Sequence, residues 1–257
     1  MVTDVDLELS DLAVKVFSQV VHPDCVFTEE HQRRLDEIIA LGRLPDSGSG
    51  LDPSGGTDGE EILIIVDPID GTRNYVNQTP LYGVSVGVYN NHGPWIGGVA
   101  FPALGELMFS DGESVYFSRN IEEPCESAVR LTTTETKPLA SHSVVMCTDS
   151  FPRSYRWMNR TCGLMMSGCS TINLCWTLLG RSVGALFGSN IWDIAGALPF
   201  LETTGFGVHR LRDGTALNAI DWDDFDAETK RIKEYAVVCR PAQFDVITSN
   251  VEQCQYA

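Results

Sequence analysis

The sequence predicts an α+β protein in which sheets and helices pack in layers. Three observations carry this. Short apolar, β-branched runs separated by turn residues lie between positions 62 and 118, helical spacing marks the N terminus and residues 170–205, and no internal repeat is present. With 257 residues the chain can bury a sizeable core, as one large domain or as two small ones sharing a cleft. The expected division is residues 1–122, an α+β half, and residues 123–257, a second half.

In chain order, residues 7–21 carry apolar side chains at helical spacing, with Leu12, Val16 and Val20 on the apolar side and Ser10 and Asp11 on the polar side. Residues 42–59, rich in Gly, Ser, Asp and Pro, read as a surface loop. Residues 62–66 form a continuous apolar run suited to a buried strand. Further strands are expected over residues 82–89, 95–101, 106–109 and 115–118. Turn residues at Asn90 to Gly93, Pro102 to Gly105 and Asp111-Gly112 separate them, so they should form an antiparallel meander. Beyond Arg119 the texture is polar and irregular. A buried helix is expected over residues 170–186, and another from Asp193, as N-cap, to near Gly205. Residues 235–239 read as a strand, and Pro241 suits the first turn of a final helix.

Composition narrows the function. Asp and Glu number 35 against 18 Lys and Arg, a formal net charge of −17, and such a field repels nucleic acid. No apolar run approaches the ~18 residues of a membrane span. The start, Met1-Val2-Thr3-Asp4, shows no secretory signal, so the eight cysteines are expected to be reduced thiols in a cytoplasmic protein. There is no C-x-x-C pair, and Cys169 and Cys175 sit in an apolar stretch that favours core packing.

The chemistry concentrates where residues 62–66 run into Asp67-Pro68-Ile69-Asp70-Gly71-Thr72. Pro68 fixes φ and Gly71 permits close backbone approach, so Asp67 and Asp70 can face one point. Paired carboxylates are costly unless protonated or bridged by a cation, and all-oxygen ligation suits Mg²⁺ or Ca²⁺. Taken alone, the tetrapeptide fits an ordinary turn equally well. Likewise Asp193 alone reads as a helix cap, Glu29-Glu30 as a solvated helix start and Asp6 as a surface acid. His22, His31, His92, His142 and His209 show no ligand spacing, and Trp192 reads as a core anchor.

Asp67 to Thr72 followed by Arg73-Asn74-Tyr75 resembles the signature of the inositol monophosphatase family. Val2-Thr3-Asp4-Val5-Asp6 is similar to the family's V-T-x-x-D element, and His22 to Glu30 to its segment ending in Gly-Glu-Glu. Ile191-Trp192-Asp193-Ile194-Ala195-Gly196 resembles its W-D-x-A-G element, and Gly168 to Cys175 its preceding helix start. The ordered elements span nearly the whole chain.

The resemblance implies an α-β-α-β-α sandwich, here with a shortened first helical layer, because relatives carry a helix before the V-T-x-x-D element. It implies a Mg²⁺-dependent, lithium-sensitive phosphatase, commonly a homodimer, acting on a small phosphorylated metabolite with two or three Mg²⁺ ions. Glu29, Asp67 and the Ile69 carbonyl would hold the first ion, Asp67, Asp70 and Asp193 the second, and Glu29 a third. Thr72 and Asp6, with Glu29, would orient the attacking water. Asp70, Gly71, Thr72, Gly168 and Cys169 would contact the phosphorylated substrate. Relatives acting on inositol phosphates carry an acid shortly before Trp-Asp, whereas residues 186–191 here carry none, and the loop over residues 32–60 is longer than is typical. Histidinol phosphate, a 3′-phosphoadenosine nucleotide, or a catalytically weak metal- and phosphate-binding regulatory role are the alternatives to an inositol monophosphate-like substrate.

Overall fold

The computed structural model describes residues 3–30, 62–90, 93–132, 139–217 and 222–254; the loop expected over residues 42–59 and the long segment over 32–60 lie outside them. Helix α1, Asp4–Phe17, starts at a capping box. The Thr3 hydroxyl accepts from the Asp6 N–H (3.3 Å) and Asp6 Oδ2 accepts from the Thr3 N–H (2.7 Å). Its orientation reverses the expected one. Asp6 and Ser10 are buried, whereas Leu12, Val16 and Val20 are 52%, 48% and 65% exposed. Hydrophobic spacing identifies an apolar side but not which side meets the protein. Strands β1, Val26–Thr28, and β2, Leu63–Asp70, pack against α1 and take up its Asp6–Ser10 side.

β1 runs parallel to β2, pairing Val26 with Ile64 and Thr28 with Val66. β2 outlasts the expected strand and continues through the Asp-Pro-Ile-Asp segment, fully buried along its length. Its pairing shifts register between Asp67 and Asp70, where Pro68 has no N–H to give the ladder. Gly71 then adopts the left-handed conformation (φ 88°) and leads into α2, Thr72–Val76. Strands β3 (Gly83–Asn90), β4 (Gly93–Phe101), β5 (Glu106–Ser110), β6 (Val115–Ser118) and β7 (Val129–Arg130) follow. Among the described residues they extend β1 and β2 into a seven-stranded sheet in sequential order. The expected antiparallel meander is present.

The region that reads as irregular holds β8 (Val144–Cys147), β9 (Tyr155–Trp157) and β10 (Gly163–Met166). Helix α3 covers Ser170–Leu178 only, and Gly180 (φ 72°) follows its end. The remainder of the expected helix contains strand β11, Gly184–Phe187. A short apolar run fits a buried strand as well as a helix, and here pairing on both sides decides the matter. Helix α4, Ile191–Ala195, is capped by Asn190, with Asp193 at its third position rather than at the cap. A 3₁₀ turn at Leu198–Phe200 and a short helix, Leu201–Thr204, precede Gly205 (φ 74°), the expected stop. Strands β12 (Gly207–Arg210), β13 (Ala236–Cys239) and β14 (Val251–Gln253) complete the chain, with Pro241 opening the last helical turn before Phe244–Thr248. The second sheet runs β10-β8-β11-β13-β12, and β14 pairs with β9.

The main core joins Phe27, Ile65 and Phe101 of the first sheet to Ile172, Leu174, Trp192 and Phe187 of α3, α4 and β11. α3 and α4 therefore lie between two sheets, the layering expected. A second cluster, with Val145, Phe151 and Ile247, fills the other face of the second sheet. Two glycines set the spacing. A Cβ on Gly87 would fall 2.4 Å from the Ala195 carbonyl, and one on Gly97 2.2 Å from the Gly196 carbonyl, so α4 lies directly on β3 and β4. Arg181, just beyond α3, holds Glu106 of β5 with two N–H···O bonds of 2.7 and 2.6 Å.

Candidate active site

The parallel pairing of β1 with β2 sets one glutamate beside the Asp-Pro-Ile-Asp segment. The Glu29 N–H donates to the Val66 carbonyl (3.2 Å), so Glu29 lies at the carboxyl end of β2 next to Asp67. Asp67 Oδ1 accepts from the Ile69 N–H (3.0 Å), which turns the segment back on itself. The other oxygen, Oδ2, is buried and has no hydrogen-bond partner among the described residues.

Asp70 is held by the start of α3. Its Oδ2 accepts from the Thr171 N–H (2.5 Å), the Thr171 hydroxyl (2.7 Å) and the Cys169 thiol (3.1 Å). Asp193 arrives from α4, and its Oδ2 accepts from the Asn190 N–H (3.3 Å) and the Ser170 hydroxyl (3.4 Å). One oxygen each of Asp67, Asp70 and Asp193 lies within 4.8 Å of the others. Asp6 adds its charge near Glu29 from α1, and its buried Oδ1 has no hydrogen-bond partner among the described residues.

Burial and mutual repulsion raise the acids. Desolvation, then Asp70, Asp193 and Glu29, pushes Asp67 well above the usual carboxylate range. Asp193 rises for the same first reason, with Asp70 and Glu29 adding to it. Asp70 is also raised by burial, although the Thr171 and Cys169 hydrogen bonds oppose that rise. Glu29 is pushed up to about 7 by burial, then by Glu30, Asp6 and Asp70. Burial keeps the Cys169 thiol protonated, a donor to Asp70 rather than a nucleophile.

The expected site residues gather at this corner, with one difference of orientation. The Thr72 hydroxyl donates to the Ile69 carbonyl (3.0 Å), so the two groups expected to serve water and metal meet each other. Gly71 packs against the turn before α3, where a Cβ would stand 3.1 Å from Cys169 Cβ and 3.3 Å from the Gly168 carbonyl. The Asn74 amide clamps the same turn by donating to the carbonyls of Leu81 (2.6 Å) and Ser167 (2.7 Å). Sequence reasoning missed Thr171, Ser170 and Asn190, which orient the carboxylates. Thr171 lies 101 residues from Asp70, and no local pattern announces that contact.

The residues fit a hard divalent cation. Three carboxylates converge, two of them buried, two buried carboxylate oxygens (Asp67 Oδ2 and Asp6 Oδ1) lack a donor among the described residues, and the donor set is all oxygen. A positive charge among them would offset the repulsion that raises their pKa values.

Comparison with known proteins agrees. Residues 1–255 match the model of the inositol monophosphatase family. A histidinol-phosphatase of Chlorobaculum parvum is 34% identical over 129 residues, 46% of this chain and 49% of that protein. A fructose-1,6-bisphosphatase/inositol-1-monophosphatase of Aquifex aeolicus is 28% identical over 197 residues, 70% of this chain and 69% of that one. The chain thus spans about half the length of the first relative. An IMPase/NADP phosphatase solved with Mg²⁺ and phosphate superimposes with a TM-score of 0.64 at 17% identity, covering 96% of this chain and 80% of that one.

Proposed function

We propose, from the premise that this chain belongs to the inositol monophosphatase family, that it hydrolyses a small phosphate monoester in a Mg²⁺-dependent reaction at the Asp67–Asp70–Asp193 cluster. The observation that carries this is the convergence of three carboxylates, two buried ones from β2 and a half-buried one from α4, within 4.8 Å. Asp67, Asp70 and Asp193 would hold one ion, and Glu29, Asp67 and the Ile69 carbonyl another, with Glu29 also available to a third. Bound Mg²⁺ supplies a water of lowered pKa and neutralises charge on the leaving oxygen.

The chain's own groups do the rest. Thr171 and Cys169 hold Oδ2 of Asp70 and so fix this carboxylate within the cluster. With the charge of the cluster balanced by a cation, Glu29 would be ionised and, with Asp6 and Thr72, would align the attacking water. The N–H groups of Gly71 and Thr72, at the start of α2, would receive phosphate oxygens beside Gly168 and Cys169.

An inositol monophosphate-like ester is the first substrate reading. Histidinol phosphate is the second, favoured by the 34% identical stretch shared with a histidinol-phosphatase and by the absence of an acid over residues 186–191. Lithium inhibition, a homodimer, a cytoplasmic location and the division at residues 122/123 belong to the same proposal. Phosphate release from a panel of phosphomonoesters, with Mg²⁺ and with EDTA, tests it. Release that requires Mg²⁺ is expected and full activity in excess EDTA refutes it, while Mg²⁺ uptake without release marks a binding protein instead.

A further inference from the structure

A cavity of about 650 Å³ opens between β9, β14 and residues 231–235, a volume in the range of small-molecule sites. Arg212, Arg231 and Lys233 line it against a single carboxylate, Glu234, in a chain whose formal net charge is −17. Arg212 is balanced by Asp213 (3.2 Å) and Glu234 (2.9 Å). Neither Arg231 nor Lys233 has a carboxylate within ion-pair distance among the described residues. Lys233 Nζ donates to the Asp223 carbonyl (2.7 Å).

Arg231 is also held in place. Its Nη2 donates to Ser150 Oγ (2.6 Å), and that hydroxyl is hydrogen-bonded to the Tyr235 phenol. Thr148 Oγ1 approaches both, at 3.2 Å from Ser150 Oγ and 3.3 Å from the Tyr235 hydroxyl. Among the described residues the other N–H donors of the guanidinium have no partner, so a fixed fork is presented without an internal anion.

The cavity is joined rigidly to the carboxylate cluster. Arg231 pairs with Asn190 in an antiparallel bridge, flanked by the Ile191 N–H on the Lys230 carbonyl (2.9 Å) and the Ile232 N–H on the Ser189 carbonyl (3.0 Å). Asn190 caps the helix that carries Asp193. A bridged pair spans about 5 Å and three helical residues about 5 Å more, so the Arg231 backbone lies within about 10 Å of that of Asp193. On the other side, Asp149, next to Ser150, pairs with Arg73 of α2 (2.8 Å).

We propose that this cavity is an anion subsite, centred on Arg231, that takes a second phosphate-class group of a substrate whose scissile phosphate sits at the carboxylate cluster. The substrate assignment rests on the phosphatase reading above; the anion site itself does not. The substrates selected are then phosphomonoesters that carry a further anionic group, in preference to otherwise identical monoanionic-ended esters.

Inorganic phosphate and the metal-stripped protein separate the two. In EDTA the carboxylate cluster repels phosphate, so binding measured by calorimetry reports the cavity. Wild type is expected to bind, and Arg231→Gln to bind about 10- to 100-fold more weakly, the range of a charge-assisted hydrogen bond. Arg231→Lys, which keeps the charge and loses the fork, should lie between them, and thermal unfolding checks that both variants fold. With Mg²⁺, Arg231→Gln should raise KM for fructose 1,6-bisphosphate by a similar factor and leave KM for fructose 1-phosphate unchanged. No phosphate binding by metal-stripped wild type, or equal binding by Arg231→Gln, overturns the site. Equal KM changes for both esters overturn its role toward substrate. Phosphate binding that needs Arg231, with no release from any ester, overturns the phosphatase reading and leaves the anion site standing.

Discussion

Replacing Asp67 by asparagine should stabilise the metal-free protein and abolish its response to Mg²⁺. Asparagine keeps the acceptor for the Ile69 N–H, 3.0 Å from Asp67 Oδ1. It also sets a donor where the buried Oδ2 has no partner. Asp67 faces Asp70 and Asp193, with ligand oxygens within 4.8 Å of one another. Two ionised carboxylates at that separation repel by about 3.5 kcal/mol at an effective dielectric constant of about 20. Asp67 takes part in two such pairs, and protonation of the raised carboxylates relieves part of the repulsion, so the gain near pH 8 is of the order of one pair, about 3 kcal/mol. For a chain of this size that is a rise in Tm of roughly 6–12 °C.

The pH dependence has a definite sign. Asp67, Asp70 and Asp193 are raised and Glu29 stands at about 7, so the folded cluster binds more protons than the unfolded chain above the ordinary carboxylate range. Stability of the metal-free wild type therefore falls as pH rises through that window up to neutrality and beyond. The advantage of Asp67→Asn should shrink near pH 5 and be largest near pH 8. Thermal unfolding in EDTA and in saturating Mg²⁺, at both pH values, measures it. Wild type should gain about 2.7 kcal/mol at a Mg²⁺ concentration of about 100 Kd, and the variant nothing. A lower Tm for the variant in EDTA near pH 8 would refute the repulsion. A retained Mg²⁺ shift would remove Asp67 from the ligand set.

Glu29→Gln should abolish turnover and the Mg²⁺ shift, whereas Glu60→Gln and Glu61→Gln should leave both intact. β2 opens at Leu63, about 13 Å of extended chain before Asp67, and a metal–oxygen bond is only ~2.1 Å long; the reverse pattern in a steady-state assay would overturn the parallel pairing of β1 with β2. Gly87→Ala drives a Cβ to 2.4 Å from the Ala195 carbonyl, so it should cost about 3 kcal/mol and, by displacing α4 and Asp193, weaken Mg²⁺ about tenfold. An unchanged Tm and Mg²⁺ titration would show that α4 does not rest on that glycine. Arg181→Ala strips the buried Glu106 carboxylate of both its 2.7 and 2.6 Å partners and should cost about 3 kcal/mol with kcat unchanged. A kcat that falls while Tm holds would instead tie this pair to the site.

What the sequence determined by itself is what short-range physics encodes. The meander β3 to β6 was legible because Gly and Asn-rich turns punctuate runs of strand-favouring residues. Asp67 and Asp70 were legible as a pair because only Pro68 and Ile69 separate them. Tertiary structure alone decided the rest. The apolar side of α1 pointed to burial, yet packing against β1 and β2 selected the side that carries Asp6 and Ser10. Residues 184–186 read as the end of a helix, yet lie in strand β11 because β8 and β13 supply hydrogen-bonding partners on either side. Asp193 read as a helix cap, yet Asn190 takes that place and frees it to face the cluster. Thr171 reaches Asp70 across 101 residues. The physical reason is common to all four: periodicity and turn chemistry act over a few residues, whereas burial, strand partners and convergent charge depend on segments that only the folded chain brings together.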